Sequence, residues 1–277
     1  MSTSPLAQPL PWNLVSEAYA ADVTPVFEGY ARVALDLAQR PAGARVVDVG
    51  CGPGTLSLLA ARQGLAVHAL DFAPQMIAVL QSRLAAEPAL VVEAVVGDGM
   101  NLPWPDDTFD AGFSMFALFI FPDPVAGLRE LRRVVRPGGT IVFSSWPPME
   151  GVPALDALFG ALAKVLPGRG PAAAPALSTR AQIDEAIAAA GLEAVSIRME
   201  TQALEAPDPV AWFAGLERTL APLVLLRHGA GEGWPALRAA LHDQVCAALP
   251  PGPVRAEMQA FLAVARVPMP SDDPQGA

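Results

Sequence analysis

Two apolar patterns alternate along the chain. Val46-Val47-Asp48-Val49, Ala66 to Leu70, Leu90 to Val96, Phe109 to Ser114 and Thr140 to Ser145 are short apolar runs. Such runs, rich in β-branched residues, predict buried strands. Between them, Thr55 to Gln63, Pro74 to Ala86 and Pro124 to Val135 carry apolar residues at helical spacing. This βα order predicts a parallel sheet with helices on both faces. In such sheets ligands bind beyond the carboxyl ends of the strands.

The flanks are less regular. Met1 to Pro11 is rich in Pro and Ser and is expected to be disordered or extended. Thr24 as cap and Pro25 at the first helical position predict a helix start there. Its apolar face is Val26, Phe27, Tyr30, Val33, Ala34 and Leu37, and it stops at Arg40-Pro41-Ala42-Gly43. Beyond the fifth run, Leu155 to Leu166 and Arg180 to Ala190 predict helices, and Pro209 to Leu249 reads as mostly helical. Ala194 to Thr201 and Gln259 to Val267 predict strands, and Pro167 to Pro175 a mobile loop. The expected organisation is one domain over 1–277. It has a helical cover at 12–40, a core at 41–150, lid segments at 151–177 and 205–253, and a last strand at 254–268.

Composition narrows the function classes. Of 277 residues, 52% are apolar, enough for a large core, and the net charge is −10. An acidic chain has no general attraction for phosphate backbones, so nucleic acid is not the expected partner. The basic cluster Arg129 to Arg136 sits where a helix should end, a place that favours cations. Two cysteines and three scattered histidines give no metal-binding spacing, so no metal is expected. The apolar run Met115 to Phe121 stops at Pro122, far short of the about 18 residues of a membrane span. The expectation is a soluble cytoplasmic protein with no stable membrane insertion. Its oligomeric state is not legible.

The candidate chemistry lies at Asp48-Val49-Gly50-Cys51-Gly52-Pro53-Gly54. A strand entering a glycine loop and then a helix makes a cradle for a polar or anionic group. The dinucleotide fingerprint needs a third glycine three residues after the second, and Thr55 stands there. Asp71 ends the second strand, where a carboxylate accepts from both hydroxyls of a ribose. Asp98, within Gly97-Asp98-Gly99-Met100, is placed to accept from an adenine amine.

These segments, with Phe109-Asp110 and the run Arg132-Arg133-Val134-Val135-Arg136-Pro137-Gly138-Gly139, resemble the class I S-adenosylmethionine-dependent methyltransferases. The likeness is to the branch holding quinone-biosynthesis and small-molecule enzymes, and it covers residues 12 to 146. It implies a Rossmann-like seven-stranded, mostly parallel α/β sheet, with the last strand antiparallel and a helical lid. It implies S-adenosylmethionine as cofactor, S-adenosylhomocysteine as product, and a small-molecule acceptor. Gly50, Cys51, Gly52 and Gly54 would line the methionine part, with Asp48 shaping the loop and reaching the ammonium. Asp71 would hold the ribose, with Phe72 and Met76 packed near the adenosine. Gly97, Asp98, Gly99 and Met100 would hold the adenine, Ser114 would meet the methionine end through its carbonyl, and Tyr19 would close over the cofactor. Relatives often carry a histidine where Phe119 stands and an asparagine where Met115 stands. The expected acceptor pocket is therefore apolar, with Met115, Phe116, Phe119 and Trp146 on its rim, and no catalytic residue is assigned. Two other functions fit the same residues: a regulatory protein that binds the cofactor without turnover, and a nicotinamide-dependent oxidoreductase.

Overall fold

The computed structural model describes residues 4–166 and 175–270. A sheet of seven strands forms the centre, in the order β3-β2-β1-β4-β5-β7-β6. Its parallel part consists of β1 (Arg45–Val49), β2 (Ala66–Asp71), β3 (Val92–Val96), β4 (Phe109–Ser114) and β5 (Val135–Ser145). The last strand, β7 (Val254–Arg266), runs antiparallel between β5 and β6 (Glu193–Ala206). Fold class and strand direction agree with the sequence reading.

Side chains alternate across this sheet and feed two cores. Val47, Val49, Ile141, Phe143, Ala263 and Ala265 pack under α5 (Pro124–Val134) and α7 (Arg180–Ala189). Val46, Val67, Phe113, Val142, Leu262 and Val264 pack under α2 (Thr24–Ala38) and α3 (Thr55–Arg62). On the same face, α4 (Pro74–Ala85) closes over β2, with Ile77 and Leu80 against Leu58 and Ala69. Covering both faces explains why these strands read as continuous apolar runs and not as alternation. Asp123 caps α5 by accepting the N–H groups of Val125 and Ala126.

The amino-terminal expectation is overturned. A helix, α1 (Pro9–Ala18), begins inside the stretch read as extended, after a 3-10 turn at Pro5–Ala7. Pro9 sits in its first turn, where a missing N–H costs nothing. Tyr19–Val23 then forms a π-helical segment before α2. The predicted loop at 167–175 falls almost wholly outside the described residues.

Strands β6 and β7 are longer than their apolar patterns. They stay paired out to Ala206 opposite Val254, well past Ser145 opposite Phe261, where β5 ends. This two-stranded arm carries α8 (Pro209–Thr219), α9 (Ala221–Ala230) and α10 (Trp234–Ala248) at its tip. Those helices and α6 (Pro153–Val165) share a separate apolar cluster, including Leu158, Trp212, Phe213, Leu241 and Val245.

The basic cluster is consumed by structure. Arg133 donates to the carbonyls of Leu102 and Trp104 and to the carboxylates of Glu130 and Asp106. Arg136, in β5 and not in the helix, pairs with Asp110 at 2.9 Å.

Candidate active site

A cavity of about 340 Å³ opens beyond the carboxyl ends of β1, β2 and β3, at the turn into α3. The turn needs its glycines for different reasons. Gly50 has φ +73°, and a Cβ there would lie 2.3 Å from the Ala117 methyl. Gly54 has φ +86°, and a Cβ there would strike Leu80 at 2.3 Å, so it seats α4 against the loop. Gly52, with φ +54°, has nothing within 4 Å of a Cβ and lines the cavity. Only Gly52 therefore keeps space clear for something else.

Carboxylates surround that space. Asp71 is 6% exposed and accepts from Gly52 N–H at 2.8 Å and Ala73 N–H at 2.9 Å. Burial pushes its carboxyl up to about 6, against the pull of these N–H donors. Asp48 is buried at the end of β1 and accepts from Ser57 Oγ at 2.6 Å. Burial pushes it up to about 7, and the Asp71 charge adds to this against the Ser57 hydroxyl. Asp98 stands exposed at the far wall, its Oδ1 accepting from Met100 N–H at 2.8 Å. Such a surround of acids favours a ligand that carries positive charge at the glycine loop and hydroxyl or amine donors beyond it.

Twelve of the fourteen residues expected at the cofactor line this cavity: Tyr19, Asp48, Gly50, Cys51, Gly52, Asp71, Phe72, Met76, Gly97, Asp98, Gly99 and Met100. Gly54 and Ser114 do not line it. Ser114 is fully buried, and its hydroxyl has no hydrogen-bond partner among the described residues. The Cys51 thiol is raised well above its ordinary value, by burial first and then by Asp71 and Asp48, which makes it inert as a nucleophile.

A second cavity, about 650 Å³, lies beside the first, beneath α6 and α8. Of the expected acceptor-pocket residues, Phe119 and Trp146 line this one, Met115 lines the first, and Phe116 lines both. The shared wall is Trp12, Tyr19, Phe27, Phe116 and Ile120. Phe116 sits at φ +57°, an uncommon conformation for a bulky residue, with its N–H donated to Ser144 Oγ at 2.8 Å. Its ring stacks on Trp146 with centroids 4.3 Å apart and meets Phe27 at 4.8 Å. The half-buried Tyr19 phenol is raised above its ordinary value, by burial and then by the Asp71 charge, so it is a neutral donor.

Trp12 and Phe27 escaped the sequence reading. Trp12 stood only as the first residue of the helical cover, next to the stretch read as extended, and Phe27 was assigned only to a helical apolar face. The π segment that turns Tyr19 toward this wall has no strong local signature. None of the three histidines lines either cavity.

Comparison with known proteins agrees with this fold. Residues 47–143 match the family model described as "Methyltransferase domain". That match makes residues 47–143 a methyltransferase domain. An uncharacterized protein of Mycobacterium tuberculosis (strain H37Rv) is 40% identical over 38% of this chain and 38% of its own length. A demethylmenaquinone methyltransferase of Clavibacter sepedonicus is 43% identical over 43% of this chain and 49% of its own. The chain thus spans less than half the length of these relatives. Among solved structures, a putative methyltransferase of Bacillus halodurans superposes with TM-score 0.58 at 17% identity, covering 87% of this chain and all (100%) of its own. The [4+2]-cyclase SpnF gives TM-score 0.56 at 21% identity, covering 88% and 81%. These two show the fold.

The methyltransferase cofactor fits the first cavity on the evidence of the chain itself. S-adenosylmethionine has a cationic amino-acid end and a nucleoside end. The buried Asp48 carboxylate, whose one side-chain partner among the described residues is Ser57, suits the cationic end. The open face of Gly52 leaves room beside it, and Asp71 has lone pairs left for ribose hydroxyls.

Proposed function

We propose that this chain catalyses methyl transfer from S-adenosylmethionine to a small apolar or aromatic acceptor held in the second cavity. The observation that carries this reading is the pair of cavities with one aromatic wall. One side is ringed by acids at the strand ends; the other is apolar and covered by helices.

Asp48 and the Gly50–Gly52 backbone hold the amino-acid end of the cofactor, Asp71 the ribose, and Asp98 with the Met100 backbone the adenine. The bound cofactor supplies a methyl group already activated by sulfonium charge. The chain then has mainly to align an acceptor atom with that methyl and exclude water. Tyr19, Phe27 and Phe116 do this from the shared wall. With no histidine in reach, catalysis is positional, and the acceptor brings its own nucleophile. The demethylmenaquinone methyltransferase relative makes a quinol the first acceptor to assay.

Calorimetry with S-adenosylmethionine on wild type and Asp71→Ala tests the donor side. Labelled methyl transfer to a panel of quinols, phenols and amines tests the acceptor side. Unchanged cofactor affinity in Asp71→Ala removes the main support. Turnover of a polar amine while all aromatic acceptors fail rejects the apolar assignment, and tight cofactor binding with no transfer leaves a cofactor-binding regulator.

A further inference from the structure

The second cavity has an almost wholly apolar lining around Trp146, Met149, Leu155, Phe159 and Leu204. Its charged side chains are already engaged: Asp22 pairs with Arg218, and Glu205 pairs with Arg255. An apolar acceptor would slide in such a space unless something polar fixed its orientation.

Trp212 is the candidate. It lies in the first turns of α8, is 2% exposed, and lines the cavity. Its Nε1 is buried and has no hydrogen-bond partner among the described residues. A buried indole N–H normally finds an acceptor, and leaving it unpaired is destabilising. Phenylalanine would fill much of the same apolar space without that penalty. Trp12, by contrast, spends its Nε1–H on the Leu6 carbonyl at 2.8 Å. The unpaired donor belongs to the helical insertion and not to the sheet, so it sits where acceptor choice is expected to be set.

We infer that the Trp212 indole N–H is a specificity-determining donor that takes an oxygen of the methyl acceptor, so that the acceptor is an apolar ring compound bearing a carbonyl, ether or phenolic oxygen. This rests on the assignment of the second cavity to the acceptor. It adds a polar requirement to an otherwise apolar site and places the deciding residue on the lid.

The test uses the full chain and two probes of one ring skeleton, 1-tetralone and tetralin, which differ by a carbonyl. The ratio of their dissociation constants favours the ketone in wild type. In Trp212→Phe that preference falls about fivefold, the size of one neutral hydrogen bond, because the lost ring contacts weaken both probes alike and cancel in the ratio. An unchanged ratio overturns the inference. A second measurement needs no variant: in wild type labelled with nitrogen-15, the Trp212 indole signal moves downfield with 1-tetralone and not with tetralin. A signal indifferent to the ketone also overturns it. Cofactor affinity is measured on the same samples. Loss of S-adenosylmethionine binding with the ketone preference intact would sink the methyl-transfer proposal and leave the Trp212 site standing.

Discussion

The carboxylate of Asp71, at the end of β2, accepts the backbone N–H of Gly52, in the loop after β1, at 2.8 Å. Its other oxygen accepts the Ala73 N–H that starts α4. One side chain thus ties two strand-to-helix turns together and forms part of the cavity floor. Asp71→Ala is expected to orphan both donors and lower S-adenosylmethionine affinity by at least about tenfold, the scale of one charge-assisted bond. Calorimetry gives the affinity and urea denaturation the stability. Equal affinity in variant and wild type contradicts the ribose assignment.

The glycines of the loop separate packing from ligand space. Gly50→Ala drives a methyl into Ala117 and is expected to destabilise the fold by about 2 kcal/mol or more. Gly52→Ala meets no protein atom, so its stability loss is limited to the left-handed backbone, about 1 kcal/mol. Its cofactor affinity nevertheless drops sharply, because the new methyl occupies the cavity. Chemical denaturation paired with calorimetry distinguishes the two. Equal losses of stability contradict the assignment of open space at Gly52.

The buried acids set a pH dependence whose sign is fixed. Asp48 and Asp71 are raised to about 7 and about 6 from an ordinary value of 3.8. A raised carboxyl favours the folded state fully below its unfolded value, and that contribution is lost as pH rises through the folded value. The ligand-free fold therefore loses stability from these groups between about pH 4 and 7. Binding a cation at Asp48 favours the ionised forms. S-adenosylmethionine should then bind more tightly from pH 6 to 7.5 and release protons at pH 6. Titrations in buffers of different ionisation heat measure that release, and none at pH 6 contradicts the assignment.

Ser144 is fully buried in β5, and its Oγ accepts the Phe116 N–H. Ser144→Ala removes that partner from a residue already held at positive φ. A cost of about 1–3 kcal/mol is expected, the penalty of an orphaned buried donor. Denaturant midpoints check it, and a loss below about 0.5 kcal/mol would show that the turn is held by the aromatic stack alone.

Arg218 of α8 pairs with Asp22 of the π segment at 2.8 Å, tying the lid helix to the turn that carries Tyr19. Both partners are well exposed, so Asp22→Asn should change global stability by less than about 1 kcal/mol. Amide exchange in α8 should quicken while the sheet is unaffected. Unaltered exchange in α8 means that the pair does not hold the lid.

Much of this molecule could be read before its structure. The βα alternation, the glycine loop and the acids at Asp71 and Asp98 depend on local sequence, because each lies at or just after the carboxyl end of an apolar strand. What escaped depends on tertiary context. Pro9 looked like a loop residue until it stood in the first turn of a helix packed on α4 and α9. The outer parts of β6 and β7 carry Glu, Gln and Thr, and they stay extended because they pair with each other. The aromatic wall joins Trp12 of α1, Tyr19 of the π segment, Phe27 of α2 and Phe116 after β4, and no periodicity links them.

The paired arm of β6 and β7 has a consequence for how such a protein changes over time. Helices α8 to α10 are inserted between two strands that are already zipped together, so the entry and exit points of the insertion are fixed by the arm. A new set of helices grafted at Ala206 and Val254 would leave the glycine loop and its cavity untouched. The two cavities are thereby free to evolve at different speeds, with the aromatic wall as the one boundary both must respect.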